Sequence, residues 1–232
     1  MMEHRPMIPL RDSAPRHRLT PVNTALIAAN LIVFAYEVQL GAGAGALLNE
    51  FGLVPARLAH LGIDAAGLAP RAVATLLTSL FLHAGLLHVA GNMLYLYIFG
   101  AAVEERLGAV RYLWFYLGAG VAAGLATIWM APASHVPVVG ASGAIAGVLG
   151  AYFIFHPRGR ILTILPLFAF IEVPAALYLL LWFAVQLYGG LMAQAQAGME
   201  GGVAWWAHVG GFLFGVAAGP MISLSRSPRR LR

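Results

Sequence analysis

Six stretches of this chain are apolar over membrane-scale lengths, with polar residues gathered between them. They run over residues 22–40, 84–103, 112–130, 140–156, 174–193 and 204–224. Each approaches the roughly 20 helical residues needed to cross a hydrocarbon core. The pattern predicts an all-α polytopic membrane protein of six spanning helices. Pro132 ends the third stretch, and Pro157 with Arg158 ends the fourth. Residues 41–82 form a long mixed loop with Gly41, Gly43, Gly45, Pro55 and Pro70, and two amphipathic stretches, 47–61 and 72–82, suited to a membrane interface. Residues 161–171 are apolar but too short to cross, and read as interfacial.

Composition sharpens this picture. Of 232 residues, 60% are hydrophobic and 10% charged, and cysteine is absent. A soluble domain carries about 25% charged residues, so lipid must be the solvent for most of this chain. The lack of cysteine excludes disulfides and thiolate chemistry. The net charge of +5 is carried on the basic side by arginine alone. The arginines sit in short clusters between apolar runs, which is a topology signal and not a nucleic-acid footprint. With the N-terminus inside, twelve arginines fall on inner segments and only Arg57 and Arg71 on outer ones. Both termini are therefore expected in the cytoplasm, with 1–21 and 225–232 as basic tails around a domain of 22–224. The first apolar run has no signal-peptide cleavage pattern.

This topology brings chemistry together. The second, fourth and sixth stretches all run from outside to inside, so His88, Asn92, Ser142 and His208, near their starts, share one depth. Polar groups at membrane depth are costly unless they are partnered or functional. Taken alone, Ser142 in Gly140-Ala141-Ser142-Gly143 is a small packing residue. Its position also leaves backbone amides at a helix start, able to stabilise an oxyanion. His208 shares a helical face with Gly211 and Gly215, suited to close docking of another helix. At the depth of Ser142, it becomes a candidate general base for a serine nucleophile. His88 and Asn92, four apart, share a face and suit an oxyanion hole, or else form an interhelical hydrogen-bond pair. On an ideal helix His83 is turned about 140° from His88, and is expected to anchor the preceding loop. No acid is placed to orient His208, so the reading is a Ser–His dyad. No metal is expected, since the histidines lack clustered acids, and no cofactor is indicated.

Together these residues resemble the rhomboid family. The motifs His83-x4-His88-x3-Asn92, Gly140-x-Ser142-Gly143 and Ala207-His208-x-Gly210-Gly211-x3-Gly215 occur in the family's order. The turn from Gly100 to Gly108, the opening Ile8-Pro9-Leu10-Arg11-Asp12 and the segment from Phe51 to Ala56 are similar to stretches of prokaryotic rhomboids. The resemblance implies a six-helix bundle in a bacterial inner membrane that cuts peptide bonds in or next to membrane helices. Ser142 would be nucleophile and His208 base. His88, Asn92 and the Ser142 amide would form the oxyanion hole, with His83, Gly140, Gly143, Gly211 and Gly215 as structural neighbours. The chain departs at Ala146, where some rhomboids place an aromatic ring against the catalytic histidine.

Partners would then be membrane-protein substrates within the bilayer, with helix-breaking residues near the outer face. They would enter sideways past the fifth stretch, with glycines 189, 190, 198, 201 and 202 as hinges. Two other classes compete. A catalytically inactive relative that binds membrane clients would not need Ser142 and His208 together. A small transporter would need charged or paired groups along its spans, which the sequence lacks.

Overall fold

The apolar stretches become helices whose ends are set by identifiable polar contacts. The computed structural model describes residues 8–14, 19–59, 70–165, 169–195 and 204–224. Helix α1 (Pro21–Leu40) opens on a proline, whose missing N–H suits the first turn. The next two amides, of Val22 and Asn23, donate to the Glu104 carboxylate at 3.1 and 2.6 Å. An acid 81 positions away thus supplies the N-terminal cap. Short helices α2 (Ala44–Phe51), α3 (Pro55–Ala59) and α4 (Pro70–Thr78) cover the loop read as amphipathic.

Helix α5 (Leu86–Tyr95) passes through a π turn (Leu96–Gly100) into α6 (Ala101–Leu107). A π turn displaces helical carbonyls from their usual partners. Here Asn23 Nδ2 donates to the Leu96 carbonyl at 3.0 Å, and Tyr112 Oη donates to Asn23 Oδ1 at 2.7 Å. Gly100 leaves room for the Asn23 side chain. Helix α7 (Ala109–Met130) follows, then α8 (Ser142–Phe155), α9 (Ala175–Ala195) and α10 (Trp205–Leu224).

The core is the α7–α8–α10 group. Helix α8 is buried on all sides from Gly143 to Tyr152. Glycines on both helices line its contact with α10: a Cβ on Gly150 would collide with the Phe212 carbonyl, one on Gly211 with the Gly143 carbonyl, and one on Gly215 with the Gly147 carbonyl, while Gly143 and Gly147 also face Ala123 and Ala119 of α7. The two backbones are in direct contact, as small-residue helix pairs allow.

Two features depart from the sequence expectation. The fold is mostly helical but not wholly so. Strands β1 (Ile8–Asp12), β2 (Arg160–Leu165) and β3 (Ala169–Pro174) form an antiparallel sheet in the order β1-β2-β3. Part of the expected tail is therefore a strand, and the short interfacial stretch is a hairpin. The sheet lies at the end of α8 away from Ser142, where Tyr152 Oη donates to Asp12 Oδ2 at 3.1 Å.

The second departure concerns the number of spans. Among the described residues, four helical segments have the length and hydropathy to cross a bilayer: Pro21–Phe51, Leu86–Leu107, Ala109–Met130 and Ala175–Ala195. With 14 residues, α8 is about 21 Å long at 1.5 Å per residue. From Gly143 to Tyr152 it is enclosed by its neighbours, and only its last turn, with Ile154, is exposed.

Candidate active site

Ser142 is the first residue of α8, and the loop before it is pinned from two sides. Leu53 and Val138 exchange backbone hydrogen bonds at 3.0 and 2.7 Å, and the Gly140 amide donates to the Ser79 carbonyl at 2.9 Å. Gly140 has φ +119°, a conformation that favours glycine, and a Cβ there would stand 2.7 Å from His88 Nε2. Both constraints act at once, so the backbone before Ser142 comes flush against α5. Ser142 lies where a helix's first amides have no intrahelical acceptor.

His208 lies in the first turn of α10, facing the start of α8. Its Nε2 is 2.8 Å from Ser142 Oγ. The glycine contacts between α8 and α10 set that distance, because they hold the two backbones at one spacing. The equal depth inferred from three helix starts thus becomes direct contact for this pair.

His88 and Asn92 lie one turn apart on α5. Both point at Gly140: a Cβ there would stand 2.7 Å from His88 Nε2 and 3.4 Å from Asn92 Nδ2. The two side chains thus converge on the backbone two residues before Ser142. His88, Asn92, Ser142, His208 and Trp182 border a cavity of about 1100 Å³.

His83 requires a correction. It does not lie on the helix, which begins at Leu86, so the 140° offset has no meaning for it. Its Nε2 is 3.0 Å from Asn92 Nδ2, and its ring centroid is 5.1 Å from that of His88. The His83 backbone N–H donates to the buried Glu37 carboxylate of α1 at 3.0 Å. The bond to Glu37 is made by the His83 backbone, while its side chain bonds Asn92.

Two residues of α9 were missed from sequence. The Trp182 ring lies beside the His208 imidazole, with centroids 5.8 Å apart and planes at 38°. An aromatic from a different helix thus occupies the neighbourhood that Ala146 leaves open. Gln186 Oε1 is 2.6 Å from His208 Nδ1. Gln186 is the only amide or charged residue between Ala175 and Met192. A polar residue in such a run is a signal of partnership or function, and Trp182 four positions earlier shares its face.

Gly189 and Gly190 are not in a loop. They lie within α9 and receive the rings of Trp205 and Trp206; a Cβ on Gly189 would come within 2.6 Å of Trp205. Gly198, Gly201 and Gly202, and the basic residues of the two tails beyond 8–14 and 224, lie outside the described residues. Among the described residues, no group of three or more His, Asp or Glu side chains could hold a metal ion.

Comparison with known proteins adds an independent line. The family description "Rhomboid domain" matches residues 70–225. The chain is 32% identical over 162 residues to "Rhomboid protein 1, mitochondrial" of Saccharomyces cerevisiae, covering 68% of this chain and 44% of that one. It is 46% identical over 76 residues to "Rhomboid protease GluP" of Bacillus subtilis, covering 33% of this chain and 14% of that protein. It is 34% identical over 147 residues to human "Presenilin-associated rhomboid-like protein, mitochondrial", covering 61% and 36%. The chain therefore spans less than half the length of these curated relatives.

Proposed function

This chain belongs to the rhomboid family of integral membrane proteins, and from that premise we propose that it is an intramembrane serine endopeptidase with a Ser142–His208 dyad. The observation that carries the proposal is the 2.8 Å approach of His208 Nε2 to Ser142 Oγ. Serine is a weak nucleophile until a positioned base removes its proton. Ser142 attacks the scissile carbonyl carbon as its proton passes to His208 Nε2. The oxyanion is held by the Ser142 amide and by the His88 and Asn92 side chains, in a preorganised arrangement. His208 then returns the proton to the leaving amine as the C–N bond breaks, and water entering from the cavity releases the acyl group.

The substrates are helices of other membrane proteins, opened near the outer face so that a carbonyl becomes accessible. The protease domain spans 22–224 together with the strand Ile8–Asp12 that pairs with β2, and 225–232 is a basic tail. The domain is a bundle of six helices in which the largely enclosed α8, and α10 with Leu213 and Met221 exposed, count with the four long apolar segments. The membrane is a bacterial inner membrane, with both termini in the cytoplasm, as the arginine distribution supports.

A purified preparation in lipid should cleave a single-span test substrate and take up a serine-reactive fluorophosphonate. Ser142→Ala should remove both activities, by at least about 10³-fold, while leaving the fold intact. Persistent cleavage by folded Ser142→Ala would exclude this mechanism. Because the chain has no cysteine, topology can be read from single introduced ones. A cysteine replacing Ser227 should react only with membrane-permeant reagents; reaction with an impermeant outside reagent would reverse the orientation.

A further inference from the structure

The dyad reading leaves open which nitrogen of His208 carries the proton, and the geometry around Nδ1 answers it. A neutral imidazole has one N–H and one bare nitrogen. To accept the Ser142 proton, Nε2 must be the bare one. Unaided neutral histidine side chains favour the opposite tautomer, with the proton on Nε2. Some group must therefore accept a hydrogen bond from Nδ1. In a triad that acceptor is a carboxylate, yet among the described residues bordering the cavity there is no Asp or Glu.

Gln186 Oε1 stands there instead, 2.6 Å from Nδ1. An amide oxygen can only accept, so this contact requires the proton on Nδ1 and leaves Nε2 bare toward Ser142. Gln186 is buried at 7% exposure and does not border the cavity. It lies behind the imidazole, out of reach of a substrate. One turn earlier on the same helix, Trp182 flanks the ring and restricts its rotation. The arrangement also suits the medium. A carboxylate buried at this depth would need a desolvated partner, whereas an amide oxygen orients the ring without net charge.

We propose that Gln186, supported by Trp182, is a positioning residue that holds His208 protonated at Nδ1 so that Nε2 is free to take the Ser142 proton. This rests on the dyad reading above. In the step itself, the Ser142 Oγ–H bond breaks as the Oγ–carbon bond forms and the proton moves to Nε2. The Nδ1–H bond stays intact, directed at Gln186 Oε1, which faces the positive charge that develops on the ring. The opposite orientation of the same amide would aim an N–H at Nδ1, force the proton onto Nε2 and leave Ser142 unactivated.

The test uses the full chain in lipid, with the single-span substrate and with 15N-labelled histidine, the His208 signals assigned by their loss in His208→Ala. Wild type should show Nδ1 protonated and Nε2 bare. Gln186→Leu, similar in volume but unable to accept, should move the proton to Nε2. It should also lower kcat by about 10²–10⁴, the range up to that seen when a serine protease histidine takes the wrong tautomer, with KM unchanged. Gln186→Glu should recover turnover at higher pH. Its carboxylate holds the imidazolium, so the acid limb of the kcat profile should move upward. The other ionisable groups bordering the cavity among the described residues, His88 and Tyr95 on α5, are present in every variant. A role in α9 packing alone would give neither the tautomer change nor the displaced limb. Wild type carrying the proton on Nε2 overturns the proposal, and so does a folded Gln186→Leu protein with unchanged tautomer and kcat. Failure of the dyad reading looks different: Ser142→Ala would still cleave, while the His208 tautomer still follows residue 186.

Discussion

The seam between α8 and α10 and the wall formed by α9 hold the same histidine by different means. At the seam, glycine against carbonyl brings two backbones into contact at Gly143, Gly147, Gly211 and Gly215. Along α9 only five residues are buried, among them Tyr178 and Gln186, while Leu177, Leu181, Val185 and Tyr188 are exposed. That wall reaches the core through side chains: Phe183 stacked on Phe212 at 4.7 Å, Trp182 beside His208, and Tyr178 bonded to Tyr95. Packed backbones have no rotamers to change, whereas a wall held by side chains can yield. The seam fixes the distance between Ser142 and His208, and the wall flanks the His208 ring. The close-packed contact is built from glycine and backbone carbonyl, the side-chain contact from aromatics and an amide.

The strongest way to break this contrast is to push the seam apart. Gly215→Leu would drive a side chain into the Gly147 carbonyl, and the obstacle is backbone that has nowhere to go. The cost should reach or exceed the ~3 kcal/mol upper end of ordinary overpacking. Loss of folded protein and of all cleavage should follow. Gly45→Ala is the control, since a Cβ there meets nothing within 4 Å, and thermal unfolding with activity per folded molecule reads both. A folded, active Gly215→Leu protein would mean that the seam does not set the dyad.

A smaller effect is expected across the cavity on α5, another side held by side chains. Asn92→Ala should lower kcat about 10²–10³, as for one lost oxyanion donor, with KM little changed. His83→Ala leaves Asn92 present but unheld, because the 3.0 Å bond from Asn92 Nδ2 is lost. A misplaced donor costs up to about 10², so His83→Ala should be the milder variant. The double variant should be no worse than Asn92→Ala alone, because the two act as a unit. Kinetics of the three proteins in one lipid system decide this; additive losses would separate His83 from the oxyanion hole.

What could be read from the sequence follows the range of the interactions. The helices of 20 residues or more were legible, with ends within a few residues, because long apolar runs are a local signal. The nearness of Ser142 and His208, 2.8 Å apart, was expected from their glycine neighbours and from helix starts read as lying at one depth. The sheet was not. Ile8 pairs with Ile164, and a short apolar run cannot be assigned to strand or helix by periodicity. His83 was misread because a helical offset was applied across Gly85, where the chain is not yet helical. Gln186 was missed because its partner lies 22 residues away on another helix, and it carries no charge to draw notice.

The mildest perturbation tests whether the α9 wall is a strut or a gate. Tyr95 Oη and Tyr178 Oη are 2.7 Å apart and join α5 to α9. Tyr178 is buried, while Tyr95 borders the cavity. Tyr178→Phe keeps the ring and removes one hydroxyl. Its net cost should fall near the low end of 0.5–1.5 kcal/mol for a hydrogen bond, because water in the cavity can satisfy Tyr95. For a chain of this size about 1 kcal/mol corresponds to roughly 2–4 °C in Tm, so the shift should be small beside that of Gly215→Leu. Turnover is the sharper readout. If substrates enter sideways past α9, a helical one has to part α5 from α9 to reach Ser142, whereas a short water-soluble peptide can enter from the cavity mouth. Loosening the α5–α9 contact should therefore raise kcat/KM for the single-span substrate and leave the peptide's unchanged. Equal change for both, or a fall in Tm with neither rate altered, would make the tyrosine pair a strut. The Phe183 and Trp182 contacts would then carry whatever freedom α9 has.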